Sequence, residues 1–387
     1  MNYFPQRMTL LALLLGLALM SGLSTASAQT PTPTVTRTPT PTRVPPLRSP
    51  TATPTPTPTP PPMTLLRGAV TERPYTVMYD NHRDAYPQTG LNAAPLVFEA
   101  LAEFGITRYM AVFVPGISPD LPTIGPLRSA RSYFVEYAKG MRGVFVHAGG
   151  SPDALALIPL SVELLDMDAL RGDASRSFWR ATDRFAPHNL FTSSARIAAF
   201  IASKDMEMPD LSEIGFLIKD EAPLAQRPPS QYVRYHFIYR EAFVGWDYDR
   251  STNSYLYFRQ QRPHVDAVSG EQVNFKNVIV LEVPERPILG DAKGRIEQDV
   301  IGEGAARIFM DGQMIEAVWR KGAGFAQLQL FDASDREIAL NPGPVWIAAI
   351  PSLDNLGVEG GLVATPVPTP QPTPTRQVIR SFVHLVY

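Results

Sequence analysis

Between about residues 66 and 221, short apolar runs alternate with segments of helical periodicity. Three runs rich in Val, Tyr, Phe and Ile predict strands, over residues 74–80, 106–114 and 143–148. Spacing of apolar residues and terminal signals predict three helices, over residues 92–105 (Asn92 as cap, Gly105 as stop), over 128–140, and from Pro152 onward. Because such alternation produces parallel strands with helical crossovers, we expect an α/β N-terminal domain with a mostly parallel sheet.

The pattern changes near Tyr232, where short β-rich runs are separated by turn residues. Asp311-Gly312 stands between two of these runs and is a strong signal for a two-residue hairpin. We therefore expect a β-rich antiparallel C-terminal domain after the α/β domain.

The first 28 residues have the pattern of an export signal. Arg7 precedes an uncharged apolar run over residues 8–20, and small residues allow cleavage after Ala28. The run is short for a membrane span, and no later run is long and apolar enough. We expect an extracytoplasmic protein, secreted or on the cell surface; the alternative is an uncleaved signal that anchors the chain in the membrane.

Thr-Pro repeats mark the ends of the predicted domains. Proline fixes φ and lacks an amide hydrogen, so these repeats predict an extended disordered spacer. The resulting division is a signal peptide (1–28), a Thr/Pro-rich linker (29–65), the α/β domain (66–222), the β-rich domain (223–353) and a Pro-rich linker with a short tail (354–387).

Composition excludes several classes of site. The net charge is -2 at pH 7, so no nucleic-acid partner is indicated. The chain has no cysteine, which rules out disulfides, thiolate metal sites, cysteine nucleophiles and a lipid on an N-terminal cysteine.

Two motifs follow predicted strands at the ends where α/β sheets bind ligands. Asp80, Asn81 and His82 follow the first strand, and the segment from His147 through Gly149, Gly150 and Ser151 follows the third. If the strands are neighbours, His82 and His147 face one crevice.

Arginines and the glycine loop make this crevice a candidate anion site. Two glycines allow close approach of backbone, and Ser151 stands at the start of a helix, where an anion is favoured. The accompanying candidates are Arg108, Arg128, Arg131 and Arg184. The alternatives are a capped turn for the loop and structural ion pairs with Glu99, Glu103 and other carboxylates for the arginines.

His188 and Asn189, in "APHN", form the third candidate motif. With His147, His82 and Asp80, His188 could provide acid-base catalysis or hold a divalent metal ion. None of these histidines has the spacing of a known metal motif, so a structural role for each is the alternative. Neither a metal nor a cofactor is assigned.

Several separated motifs together resemble the YerB-like family of bacterial envelope proteins, which is named for a domain of unknown function. In the N-terminal half they are "DNHRDAYPQTGL", "FEALAEFGITRY", "GPLRSARSYF", "VHAGGSP" and "FWRATDRFAPHNLFTS"; in the C-terminal half they are "GEGAARIFMDGQMIEAVWRK" and "NPGPVWIAAIP". The resemblance implies an exported, surface-tethered protein without an established reaction. Many members look like lipoproteins, and the lack of cysteine excludes that form of anchoring here.

Three functions are compatible with these observations. The first is binding of an anionic cell-envelope polymer or a small anion in the crevice lined by Arg, His and Gly. The second is hydrolysis of phosphate-linked or glycan envelope material, with His147 or His188 as the acid-base group and Asp80 orienting it. The third is a structural module that docks a partner. Whether the chain is an enzyme stays open.

Overall fold

β-Strands account for most of the regular structure in residues 63–363, the part of the chain that this computed structural model describes. The predicted signal peptide, most of the predicted N-terminal linker and the tail after residue 363 lie outside the described residues. The strands are β1 (Tyr75–Asp80), β2 (Leu96–Glu103), β3 (Ile106–Phe113), β4 (Val144–His147), β5 (Leu165–Asp168), β6 (Trp179–Arg180), β7 (Leu190–Phe191), β8 (Gln231–Tyr235), β9 (Val244–Asp249), β10 (Ser254–Arg259), β11 (Arg262–Pro263), β12 (Asn274–Phe275), β13 (Asn277–Glu282), β14 (Glu285–Pro287), β15 (Ile296–Gln298), β16 (Gly302–Met310), β17 (Gln313–Lys321), β18 (Leu328–Phe331), β19 (Val345–Ile350), β20 (Leu356–Gly360) and β21 (Leu362–Val363). The α-helices of this part are α1 (Ser132–Gly140), α2 (Pro152–Leu157) and α3 (Ser194–Ala202).

One large mixed sheet runs through both halves of the described chain. It has 11 strands in the order β18–β17–β16–β13–β19–β2–β3–β1–β4–β5, with β21 beside β17. The parallel pairing of β19 with β2 joins strands from either side of residue 222. A second sheet of 6 strands has the order β11–β10–β9–β8–β20, with β12 beside β10. Regular structure continues through β20 and β21, beyond residue 353.

The predicted fold class is wrong for the N-terminal region, which is not an α/β domain with a mostly parallel sheet. Residues 92–105 were expected to form a helix, but Leu96–Glu103 is strand β2. It pairs antiparallel with β3 through a tight turn at Phe104 and Gly105, whose φ angles of 50° and 79° suit a two-residue hairpin. Strand β3 then pairs antiparallel with β1, so only the β1–β4 and β4–β5 pairs of this region are parallel.

Burial of both faces of β2 explains this error. Phe98 stacks on Tyr137 of α1, with ring centroids 4.5 Å apart, so α1 covers one face of the large sheet. The next residue, Glu99, points to the other face and accepts a 2.9 Å hydrogen bond from Tyr235 of the second sheet. A strand covered on both sides reads as a continuous apolar run, which periodicity alone does not distinguish from a buried helix segment.

Other predicted elements are confirmed. Strand β1, strand β3 and the start of α2 at Pro152 lie where the sequence indicates. The helix predicted over residues 128–140 is confirmed only from Ser132, where α1 begins. Asp311 and Gly312 have φ angles of 56° and 68° and connect β16 to β17 as the predicted two-residue hairpin. The C-terminal region is β-rich as expected, although β13 and β19 pair in parallel.

Aromatic side chains fill the space between the two sheets. Trp346 of β19 packs edge-on against Trp246 of β9 and lies 5.1 Å from the ring of Tyr257 of β10. Among the described residues, no helix has the length and apolar character that a membrane crossing requires. The second sheet thus rests on the large one, and its β10–β11 hairpin comes close to the end of β1, where the candidate site lies.

Candidate functional site

The carboxyl ends of β1 and β4 are parallel neighbours, but residues 126–130 insert between them. Arg128 donates its amide hydrogen to the carbonyl of Met78, at 2.8 Å, and accepts a hydrogen bond from the amide of Ala148, at 3.0 Å. The turn that follows β1 and the loop that follows β4 therefore lie on opposite sides of this segment.

Three residues that we call the histidine cluster gather beside the end of β1: His82, Asp84 and His188. The rings of His82 and His188 stack with centroids 4.5 Å apart and planes 15° from parallel. Nδ1 of His82 lies 3.5 Å from Oδ2 of Asp84. The "DNH" and "APHN" motifs thus meet at one place.

Asp80 contacts both histidines of the histidine cluster and holds them in place. Its Oδ2 lies 2.7 Å from Nδ1 of His188, and its Oδ1 accepts the amide hydrogen of His82 at 3.0 Å. Nε of Arg128 lies 3.5 Å from the same Oδ2, so a cation balances this buried carboxylate. Asp80 fixes the tautomer of His188 with the proton on Nδ1, which leaves Nε2 free to accept a proton or bind a metal.

His147 does not join this cluster. The imidazole is fully buried, with Nδ1 2.8 Å from the carbonyl oxygen of Gly149 and Nε2 2.8 Å from Oδ1 of Asp166. Because both ring nitrogens are occupied, His147 holds the loop in shape and has no free lone pair for catalysis or a metal.

A carboxylate already occupies the glycine loop. Oδ1 of Asp168 accepts the amide hydrogens of Gly149, at 2.8 Å, and Leu170, at 2.9 Å. Ser151 precedes α2, but its hydroxyl makes no capping hydrogen bond, and Gly150 is packed against Leu155. An external anion would have to displace Asp168, so the loop is built as a closed turn.

Arg108 and Arg131 form a structural ion-pair group. Both guanidinium groups pair with the carboxylate of Glu103, and Arg108 also donates to the carbonyl of Ser129 at 2.7 Å. Burial, reinforced by the charge of Arg131, lowers the pKa of Arg108 to about 10. These arginines are engaged with Glu103 inside the protein and do not face the histidine cluster as a free anion site.

Arg184 and Asn189 hold the "APHN" loop in place. Arg184 donates to the carbonyls of Ala85, at 2.7 Å, and Pro87, at 2.9 Å, which ties the loop to the turn after β1. Asn189 donates to the carbonyl of Ala181 at 2.8 Å. Both residues position His188 and do not offer free polar groups to a ligand.

A cationic groove beside the histidine cluster was not predicted from the sequence. It has a volume of about 780 Å³ and lies between the turn after β1 and the β10–β11 hairpin. We call it the arginine groove and define it by Arg83, Tyr86, Arg259, Arg262 and His264. Arg83 lies between His82 and Asp84 in the sequence, so the groove and the histidine cluster share one turn.

The β10–β11 hairpin places two arginines side by side. Arg259 and Arg262 are direct cross-strand partners, so their side chains leave the same face. The turn between them consists of Gln260 and Gln261, whose φ angles are 48° and 66°. Left-handed backbone at residues with a side chain costs on the order of 1 kcal/mol each, and opposed like charges add to this cost. A local arrangement that opposes stability in this way is typical of a functional site.

Arg259 is held in a rigid position. Its guanidinium stacks over the ring of Tyr86, 4.6 Å from the centroid, and donates to Oδ1 of Asn81 at 2.7 Å. Burial lowers its pKa to about 10, and it forms no ion pair with a carboxylate of residues 63–363. Asn81, a predicted ligand-binding residue, therefore orients Arg259; its own Nδ2 donates to Thr107 at 2.7 Å.

His264 gives the groove a neutral polar wall. Burial, with a contribution from the charge of Arg259, lowers the pKa of His264 to about 3. Its Nε2 is buried and has no hydrogen-bond partner among the described residues. Because this atom is closed to solvent, His264 lines the groove through its ring, which packs edge-on against Tyr86.

Only one short segment of the sequence hints at the groove. "RQQRP" places two arginines around a two-residue turn, but glutamines are weak turn signals, so the hairpin is not indicated. Arg83 belongs to a distant segment, and only the packing of the second sheet on the first brings it to Arg259.

Comparison with known proteins agrees with the resemblance in the motifs. Residues 63–207 match the model described as "Protein of unknown function (DUF3048) N-terminal domain", and residues 233–347 match the corresponding C-terminal domain. The putative lipoprotein YerB of Bacillus subtilis (strain 168) is 32% identical over 296 residues, which cover 76% of this chain and 86% of the relative.

A solved structure shares the fold. The crystal structure of YerB from Bacillus subtilis superimposes with a TM-score of 0.65 at 30% sequence identity and covers 75% of this chain and 95% of the solved chain. Sequence and structure agree over the same two regions, and the chain therefore belongs to the YerB-like family, whose N- and C-terminal domains have no assigned function.

Proposed function

We propose that this protein binds an anionic component of the cell envelope through the arginine groove. The observation that supports this most is the pairing of Arg259 with Arg262 on one face of a strained hairpin, without an ion pair to a carboxylate of residues 63–363. Unlike Arg108 and Arg131, these two arginines leave their positive charge to a ligand.

An extracytoplasmic location is part of this proposal. The relative in Bacillus subtilis is described as a putative lipoprotein, and the first 28 residues of this chain have the pattern of an export signal. A protein on the outside of the cell meets polymers that carry phosphate or carboxylate groups.

Phosphate is the ligand chemistry that the groove suits best. A guanidinium group donates two parallel hydrogen bonds to a phosphate, and Arg259 is preorganised for this by its stacking on Tyr86. The exposed side chains of Arg83 and Arg262 add charge at the rim.

Calorimetric titration of the full chain tests this function. The ligands are an oligomer of glycerol phosphate, an oligogalacturonate of similar charge and neutral dextran. We expect the phosphate oligomer to bind most tightly, with an affinity that decreases as salt increases, and dextran not to bind.

A charge-matched pair of variants locates the binding. Arg83→Gln with Arg262→Gln removes two charges from the groove, whereas Arg176→Gln with Arg240→Gln removes two exposed charges elsewhere. The groove variant is expected to bind at least about 10-fold more weakly, since each charge-assisted hydrogen bond contributes about 1.5–3 kcal/mol. Equal losses of affinity in the two variants would show that only the net charge of the protein matters, which would contradict a binding site in the groove.

The Asp80–His188 contact favours a second candidate, hydrolysis of a phosphate-linked envelope polymer. Asp80 orients His188 so that Nε2 can act as a general base or acid, and Arg128 stands beside them to hold developing negative charge. His147 is not available for this role because both of its nitrogens are engaged.

Product release from the glycerol phosphate oligomer tests hydrolysis. This candidate requires turnover that His188→Gln abolishes and His147→Gln retains whenever that variant folds. Binding without any product over long incubation would leave binding as the function of the groove.

A further inference from the structure

We propose that the histidine cluster is a binding site for a divalent transition-metal ion, with zinc as the preferred ion. One ligand atom from each of His82, Asp84 and His188 lies within 4.8 Å of the ligand atoms of the other two. Two imidazoles and one carboxylate form a donor set that suits zinc. This site shares the turn of Arg83 with the arginine groove, but it does not depend on the function proposed for the groove.

Zinc binding requires the ring of His82 to rotate out of its stack on His188, because the in-plane lone pairs of nearly parallel rings do not converge on one ion. The side chain of His82 is 30% exposed, which leaves room for this rotation. Zn–N bonds of about 2.0–2.1 Å place two ligand atoms of a tetrahedral ion about 3.4 Å apart. Nδ1 of His82 and Oδ2 of Asp84 are 3.5 Å apart already. The metal would replace the 3.3 Å contact that Nδ1 of His82 accepts from the amide of Asp84.

Asp80 supplies the outer support that metal-binding histidines have. Its hydrogen bond to Nδ1 of His188 fixes the ring and leaves Nε2 for the metal, in the carboxylate–histidine–metal arrangement. Asp80 is buried with 2% exposure, whereas its partner Arg128 is partly exposed and balances its charge. The cation therefore meets a neutral Asp80–Arg128 pair behind His188.

The cluster is open to solvent on one side. The side chain of Asp84 is 59% exposed, while those of His82 and His188 are 30% and 13% exposed. The exposed guanidinium of Arg83 lies 3.6 Å from Oδ1 of Asp84, which leaves Oδ2 for the metal. The cluster thus offers zinc three protein ligands and leaves one position facing solvent. Zinc sites with this coordination bind water or a further ligand at the fourth position.

Zinc titration of the full chain, purified without a histidine tag and stripped with EDTA, tests this site. Competition against a chromophoric chelator measures the affinity, and elemental analysis measures the stoichiometry. We expect one equivalent of zinc per chain. His82→Gln, His188→Gln and Asp84→Asn should each weaken binding at least about 100-fold, and Asp80→Asn about 10–100-fold.

Two controls keep the result specific. His236→Gln changes a histidine outside the cluster and should retain the affinity of the wild-type protein. Asp84→Asn changes an exposed carboxylate, so its effect cannot come from unfolding. Less than one equivalent at micromolar zinc, or wild-type affinity in the Asp84 and His82 variants, would overturn the proposal. Arg262→Gln, a groove variant on the β10–β11 hairpin, should keep its zinc, which separates this result from that of the groove.

Discussion

Arg259 lies directly opposite Arg262 across a two-residue turn, and neither forms an ion pair with a carboxylate in residues 63–363. Other arginines around the candidate site do contact a carboxylate: Arg128 contacts Asp80, and Arg108 contacts Glu103. Free positive charge is thus concentrated at the hairpin that the second sheet presents to the end of β1.

Arg259→Lys tests whether the shape of the guanidinium matters as well as its charge. Lysine keeps the charge but loses the planar fork and the stacking on Tyr86. We expect about 3–10-fold weaker binding of tripolyphosphate by calorimetry. Unchanged affinity would mean that the groove attracts anions only through its overall potential.

Glu103→Gln tests the assignment of Arg108 and Arg131 to structure. The substitution leaves two buried guanidinium groups without their carboxylate, so the free energy of unfolding should fall by about 3–5 kcal/mol in chemical denaturation. Affinity for tripolyphosphate should stay that of the wild-type protein. Tighter anion binding in this variant, without loss of stability, would show that these arginines are available to a ligand.

Glu99 should make stability depend on pH. Burial raises its pKa to about 7, although Thr107 and Tyr235 donate hydrogen bonds to its carboxyl group. The folded state therefore keeps a proton on Glu99 that the unfolded state releases near pH 4.5. The contribution of this protonation to the free energy of unfolding is present at low pH and is lost as pH rises from about 4.5 to 7.

Comparison with Glu99→Gln isolates that contribution. The free energy of unfolding of the wild-type protein minus that of the variant should decrease by about 3 kcal/mol between pH 4.5 and 8. A difference that stays constant over this range would mean that Glu99 is ionised at low pH in the folded protein.

His264 should remain neutral through the physiological range. Its pKa is lowered to about 3 by burial, so its contribution to stability is present above pH 6.5 and is lost as pH falls toward 3. Nuclear magnetic resonance of the ring nitrogens should show no titration between pH 5 and 8. A midpoint near 6.5 would mean that His264 adds a fourth positive charge to the three arginines of the groove at low pH.

Local elements could be predicted from the sequence, but the arrangement of strands could not. The Asp311-Gly312 hairpin follows from turn chemistry, and the start of α2 follows from Pro152. Leu96–Glu103 has an apolar spacing compatible with a helix, and only the cover on both of its faces makes it a strand. That one segment determines whether the neighbouring strands are parallel.

The residues of the candidate site could likewise be predicted only in part. His82 and His188 could be selected from their motifs, and the structure stacks their rings. His147 has an equally suggestive motif, yet its ring is buried and both of its nitrogens contact protein oxygens. Arg259 carries no local signal, because its position in the site is fixed by Asn81 and Tyr86, which lie in the distant turn after β1.

A crystal structure of the full chain with tripolyphosphate tests the central claim most directly. The claim predicts phosphate oxygens within hydrogen-bond distance of the guanidinium groups of Arg259 and Arg262. Tripolyphosphate bound in the loop of Gly149 and Gly150 with Asp168 displaced, or an empty groove beside a ligand held elsewhere, would contradict it.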